Sequence, residues 1–219
     1  MEFTSKSADN NFRRNLEARK GPATGNHAII RSLRFLRLDL FSVLEIGCST
    51  GFVLETIRRD GVKEAFGIDI STEAIAYATE HFPQCQFACG QLLDLPAVLG
   101  ARKYDCVILG FYLFVVSPEK WLKHIDQALA LINDGGYLLI YDFSSPFANI
   151  RRSYEHQPGL RSWKGSLHRS LEVIPHLVKV FDWQKDAPSP RSSVEESSLP
   201  EFQAVSVYRK YALDDAFLL

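Results

Sequence analysis

The feature that most constrains this chain is an apolar run that stops at a small-residue turn between residues 43 and 51. Val43-Leu44-Glu45-Ile46 reads as the core of a strand, Gly47-Cys48-Ser49-Thr50-Gly51 as a tight loop, and Phe52 to Arg59 as an amphipathic helix. That order brings bare backbone and a helix N-terminus to one point, which suits a nucleotide-like ligand. A second apolar run, Ala65-Phe66-Gly67-Ile68, closes on Asp69. A carboxylate there can accept from both hydroxyls of a ribose, so the two segments together indicate a site for an adenosine-containing cofactor.

The alternation continues along the chain. Strands are expected at Ser42 to Ile46, Glu64 to Asp69, Cys85 to Cys89, Tyr104 to Leu109 and Tyr137 to Tyr141. Helices are expected between them: Phe52 to Arg59, from Ser71 as N-cap to about Phe82, a short one within Gln91 to Leu99, and Ser117-Pro118 to Ile132. Asn133-Asp134-Gly135-Gly136 reads as the break after the last helix. Strands alternating with helices imply a parallel sheet covered on both faces. Upstream, residues 1–40 read as an N-terminal arm and helix on the lid or substrate side, with a short helix near Asn11 to Arg19 and a second from His27 to Leu38. Downstream, residues 143–165 are rich in Pro, Ser and large polar groups and read as an insertion on the substrate side, followed by a helical piece from Gly165 to Ile174. Residues 186–200 read as a mobile loop between strands at His176 to Trp183 and Phe202 to Tyr211. That connection has no room for a helix, so the pair is expected to be an antiparallel hairpin.

Composition sets limits but names no partner. With 46% hydrophobic and 23% charged residues in 219, and a net charge of −1, the chain reads as one globular domain without a basic face for nucleic acid. No run approaches the ~18 apolar residues that cross a bilayer. Met1 to Thr4 carry no signal-type apolar stretch, and a cytoplasmic location is expected. Cys48, Cys85, Cys89 and Cys106 show no CxxC spacing, so reduced thiols and no metal site are expected.

Taken in order, these segments resemble the class I S-adenosylmethionine-dependent methyltransferases over roughly residues 40–142, with the terminal hairpin extending the match. The resemblance implies an α/β, Rossmann-like, seven-stranded, mostly parallel sheet with helices on both faces and a C-terminal antiparallel hairpin, residues 41–219 forming the domain. It implies S-adenosylmethionine as cofactor. Glu45 would face its ammonium, and Gly47, Cys48, Ser49 and Gly51 form the loop against its methionine portion, with Ser49 where the family usually has the middle glycine. Asp69 would bind the ribose, Ile70 lie beside the adenine, and Gln91 and the main chain of Leu92 meet the ring edge. Gly110 ends the strand-four motif at the reacting methyl.

The acceptor side falls on variable segments. Phe111 and Tyr112 can wall the methyl site, Tyr154 and Trp163 can stack on a ring, and Arg161, with Lys164, can clamp a carboxylate or phosphate. His156 is the first candidate base, beside the plainer reading of an exposed loop histidine. Asp142, at the end of strand five, is the second, beside a helix-capping role. A histidine at 124 reads as packing or solvent-facing, and His27 as either a helix start or a residue reaching the pocket. The reading is methyl transfer to an O or N atom of a small molecule such as a sugar or secondary metabolite, by a monomer or homodimer with no nucleic-acid or membrane partner. Protein or RNA methylation, and a non-catalytic scaffold of the same fold, stand as alternatives.

Overall fold

The computed structural model describes residues 3–18, 27–95, 100, 102–145, 150–154, 157–165, 171–186 and 202–212. After helices α1 (Ser5–Ala18) and α2 (Ala28–Leu36) the chain alternates β1 (Ser42–Ile46), α3 (Phe52–Arg59), β2 (Glu64–Asp69), α4 (Thr72–His81), β3 (Gln86–Cys89), β4 (Tyr104–Gly110), α5 (Pro118–Ala130) and β5 (Ile132–Ser144). Then come β6 (Ile150–Ser153), β7 (Arg161–Lys164), β8 (Leu177–Asp186) and β9 (Phe202–Lys210). The main sheet has seven strands in the order β3-β2-β1-β4-β5-β9-β8. The first five are parallel; β9 runs antiparallel to both β5 and β8. The expected fold and terminal hairpin are therefore present.

Burial on both sheet faces explains the continuous apolar strands. Every residue of β1 is buried. Leu44 and Ile46 point with Val107, Leu109, Leu138 and Ile140 into a core shared with Trp121 and Ile125 of α5. Val43 points the other way, with Cys106, Ile108 and Leu139, against α2 and α3. Ser71 caps α4, its Oγ accepting from Ala74 N at 3.0 Å, a contact whose loss typically costs about 1 kcal/mol.

Several segments differ from expectation for local reasons. Helix α1 starts earlier, at Ser5, because Thr4 and Ser7 exchange side-chain-to-backbone hydrogen bonds at its first turn. Asn133 to Gly136 lie inside β5 rather than before it. There the register jumps from Tyr104↔Ile132 to Cys106↔Tyr137, and Asn133 Nδ2 donates to Asp105 Oδ1 at 2.9 Å. Within residues 143–165 a separate two-stranded ribbon forms, β6 pairing antiparallel with β7. Of the short helix within residues 91–99, a single 3-10 turn at Leu92–Asp94 is seen, and residues 96–99 lie outside the described set. The helical piece at 165–174 has a 3-10 turn at Leu171–Val173, with residues 166–170 outside it, as is nearly all of the loop expected at 186–200.

Candidate active site

Strand order reverses between β1 and β4, and ligands of open α/β sheets bind outside the strand ends at such a switch point. A cavity of about 970 Å³ lies there, at the upper end of the ~300–1,000 Å³ common for ligand pockets. It is bounded by the loops after β1, β2, β3 and β4, by α1, and by the β6–β7 ribbon.

The β1 loop is shaped by its link to Asp69. The Asp69 carboxylate accepts from Ser49 N at 2.9 Å through Oδ2 and from Ser71 N at 2.8 Å through Oδ1. Burial pushes this carboxyl up from its usual range, the two N–H donors opposing it and Asp9 adding to it. Ser49 stands at φ +46, in the left-handed region that glycine favours. Gly51 caps α3 at φ +74, and a Cβ there would lie 2.9 Å from the Phe87 ring and 3.1 Å from Ala78. Gly51 is thus needed for packing and does not line the cavity. Gly47, at φ +77, does line it; a Cβ would meet Tyr112 Cδ2 at 3.6 Å and Gly110 O at 3.9 Å.

Of the residues the sequence placed around the cofactor, Glu45, Gly47, Cys48, Ser49, Asp69, Ile70, Gln91, Leu92 and Gly110 all line this one cavity. Glu45 is buried, with Oε1 3.7 Å from the Cβ position of Gly110. Burial raises the Cys48 thiol well above its usual value, helped by Asp69 and Glu45, so it stays protonated. Phe111, Tyr112, Tyr154, Arg161 and Trp163 line the cavity as well.

The two candidate bases are placed differently. Residue His156 lies outside the described residues. Asp142 is buried and is not among the lining residues. Its Oδ2 accepts from Leu113 N at 2.8 Å and Phe114 N at 3.1 Å, and its Oδ1 from Phe143 N at 2.7 Å. Burial pushes its carboxyl up to about 7, against those three donors and the charge of Lys164. Asp142 therefore holds the turn after β4 from behind the wall.

Several lining residues were not singled out from the sequence, which placed the N-terminal arm on the lid or substrate side only as a whole. Helix α1 contributes Ala8, Asn11, Phe12, Arg14 and Asn15. It is held over the cavity by Arg13 on Glu73, by Ser71 Oγ donating to Asp9 Oδ1 at 2.6 Å, and by Tyr154 Oη donating to Asn11 Oδ1 at 2.6 Å. Position 124, read as packing or solvent, also reaches the cavity, where Tyr112 Oη approaches Nδ1 of its imidazole. Its place on the inner face of α5 was the available signal. Among the described residues no His, Cys, Asp or Glu group is arranged to hold a metal ion, and no helix is long and apolar enough to cross a membrane.

Comparison with known proteins gives a methyltransferase-domain match and the same fold. A family model described as a methyltransferase domain matches residues 43–136. A tRNA N(3)-methylcytidine methyltransferase of Schizosaccharomyces pombe is 25% identical over 111 residues, 47% of this chain; the match spans only 36% of that protein. Burkholderia thailandensis 1,6-didemethyltoxoflavin-N1-methyltransferase, solved with bound 1,6-didemethyltoxoflavin and S-adenosylhomocysteine, superposes with a TM-score of 0.68 at 16% identity, covering 95% of this chain and 87% of that one. The [4+2]-cyclase SpnF superposes with a TM-score of 0.67 at 16% identity, covering 97% and 98%. At these identities the two structures speak to the fold alone.

Proposed function

We propose that this chain is a class I S-adenosylmethionine-dependent methyltransferase that transfers a methyl group from S-adenosylmethionine to an O or N atom of a small-molecule acceptor, a reading supported by the methyltransferase-domain match over residues 43–136. The observation that carries the reading is the convergence of the β1 loop, Asp69, the Gln91–Leu92 turn and Gly110 on one cavity at the switch point.

These residues fit the cofactor. Bare backbone at Gly47 keeps one corner open. The Asp69 oxygens take the backbone N–H groups of Ser49 and Ser71, and a carboxylate has further acceptor sites for ribose hydroxyls. Glu45 is the acid for an ammonium, Gln91 offers an amide to the adenine edge, and Ile70 and Leu92 offer apolar surface. When bound, S-adenosylmethionine supplies a methyl group already activated by a sulfonium. The chain then has to orient the acceptor and exclude water, which suits a cavity covered by α1 and the β6–β7 ribbon. Where the acceptor holds its proton tightly, a base is needed. Tyr112 and its imidazole partner can serve: the acceptor's proton moves to Tyr112 Oη while the phenolic proton moves to Nδ1.

Calorimetry with S-adenosylhomocysteine tests the cofactor half. Binding is expected, and Asp69→Ala should weaken it by about 2–4 kcal/mol through lost charge-assisted hydrogen bonds. No measurable binding by the unaltered protein would refute the reading. The partial likeness to a tRNA methyltransferase favours RNA as a second acceptor class. Label from methyl-tritiated cofactor appearing in tRNA, and not in small molecules of a cell extract, would select it.

A further inference from the structure

Resting on the methyl-transfer reading, the wall that β5 and β9 give the cavity indicates what kind of acceptor it takes. Tyr141 and Phe143 stand two residues apart on β5 and so share one face of the sheet. Gln203 on β9 is the cross-strand partner of Phe143, and directly opposed side chains lie on the same face. All three line the cavity.

The loop after β4 adds two more rings to this wall. The Phe111 centroid lies 4.5 Å from that of Tyr141 and 5.0 Å from that of Phe143. Phe114 stands edge-on to both phenylalanines, 6.2 Å from Phe111 and 5.4 Å from Phe143. Phe111 takes its place at φ +49, with its N–H donating to Tyr141 O at 2.6 Å. A left-handed backbone is strained for a residue with a Cβ, and a bulky residue there is an outlier. Strain of this kind collects where a side chain must be aimed for function. Phe111, Phe114 and Phe143 are each only half-buried and line the cavity.

A hydrogen-bond donor is fixed beside these rings. Tyr141 Oη donates to Gln203 Oε1 at 2.7 Å, which commits the oxygen end of the amide and leaves the two N–H donors of its NH₂ group. Flat rings favour another aromatic ring over a saturated body of the same outline. A few fixed polar groups in an apolar pocket then set the ligand's orientation, and an NH₂ group takes a carbonyl oxygen.

We propose that the methyl acceptor is a planar aromatic or heteroaromatic molecule with a carbonyl group on its edge, its ring held by Phe111, Phe114 and Phe143 and its carbonyl oxygen by the NH₂ group of Gln203.

The test uses the full chain saturated with S-adenosylhomocysteine and two probes titrated by calorimetry: 2-quinolone, and the lactam left when all its carbon–carbon double bonds are hydrogenated. Both carry the carbonyl, and only the first is flat. The flat probe is expected to bind about fivefold or more tightly, the scale of aromatic pairing beyond buried area. Phe143→Leu should shrink that ratio to about twofold or less. Gln203→Leu should weaken both lactams about tenfold, the scale of a lost hydrogen bond that leaves a carbonyl unmet. Each variant should keep S-adenosylhomocysteine affinity within about twofold, which shows that it is folded. Equal binding of the two probes by the unaltered protein, or binding of neither, would overturn the proposal without recourse to a variant. So would a preference undiminished in Phe143→Leu or unchanged lactam binding in Gln203→Leu. Failure of S-adenosylhomocysteine itself to bind the unaltered protein would instead strike the cofactor reading.

Discussion

The phenol of Tyr112 lies 2.8 Å from Nδ1 of His124, joining the loop after β4 to the inner face of α5. Both residues line the cavity. Burial raises the Tyr112 phenol above its usual value and, with Lys120 and Lys123 adding their charge, lowers the His124 imidazole. The pair is thus a neutral phenol hydrogen-bonded to a neutral imidazole, beside Gly47, where an added Cβ would lie 3.6 Å from the Tyr112 ring.

Removing one member should be felt in stability. Tyr112→Phe keeps the ring but leaves His124 Nδ1 without the phenol, costing about 1–3 kcal/mol in urea unfolding. The pH dependence has a definite sign. The unfolded imidazole binds a proton near 6.5 and the folded one only at lower pH. The contribution is therefore complete above pH 6.5 and is lost as pH falls through the lower, folded value. His124→Gln should show a shallower decline in unfolding free energy below pH 6.5 than the parent. An unchanged slope would mean that His124 is not held neutral.

Two glycines of one loop should fail differently. Gly51→Ala meets Phe87 at 2.9 Å and Ala78 at 3.1 Å in a left-handed backbone, so strain and overpacking combine to cost about 2–4 kcal/mol. Gly47→Ala has its nearest contact at 3.6 Å and carries only the backbone strain, about 1–2 kcal/mol. Its loss should appear chiefly in S-adenosylhomocysteine affinity, because Gly47 lines the cavity and Gly51 does not. Thermal unfolding and calorimetry on both variants separate the two effects.

Ser49 gives a prediction of the opposite sign. Its φ of +46 is strained for a residue with a Cβ, and its N–H is anchored on Asp69 at 2.9 Å. Ser49→Gly relieves roughly 1–2 kcal/mol of strain against roughly 0.4–1 kcal/mol of added unfolded-state freedom. The melting temperature should hold or rise. A clear fall would show that the serine side chain contributes a contact of its own.

What the sequence displayed was local. The β1 loop, Asp69 at the end of β2 and the Ser71 cap each declare themselves within a few residues, and all three are found as read. The β6–β7 ribbon was not visible. Arg161-Ser162-Trp163-Lys164 has no apolar alternation, and its partner strand is four residues long. Asn133 to Gly136 misled because residues that stop a helix also build a strand irregularity. Tyr112–His124 and Asp142–Leu113 depend on how α5 and β5 return beside β4, and a chain read in order does not contain that approach.

Asp142 should give a pH dependence opposite to that of His124. Its carboxyl is pushed up to about 7 by burial, while an unfolded aspartate titrates near 3.8. Between those values the folded protein binds more protons than the unfolded chain, so this group's contribution falls as pH rises, by up to about 1.4 kcal/mol per unit. It is complete below 3.8 and gone above about 7. Asp142→Asn can still accept from Leu113 and Phe114 through its carbonyl oxygen, but its NH₂ would face the Phe143 N–H. That mismatch should cost about 1–3 kcal/mol at low pH. Across pH 4–7 the variant should show a flatter profile than the parent, with the gap closing toward neutrality. Parallel profiles would mean that the three backbone donors hold Asp142 ionised throughout.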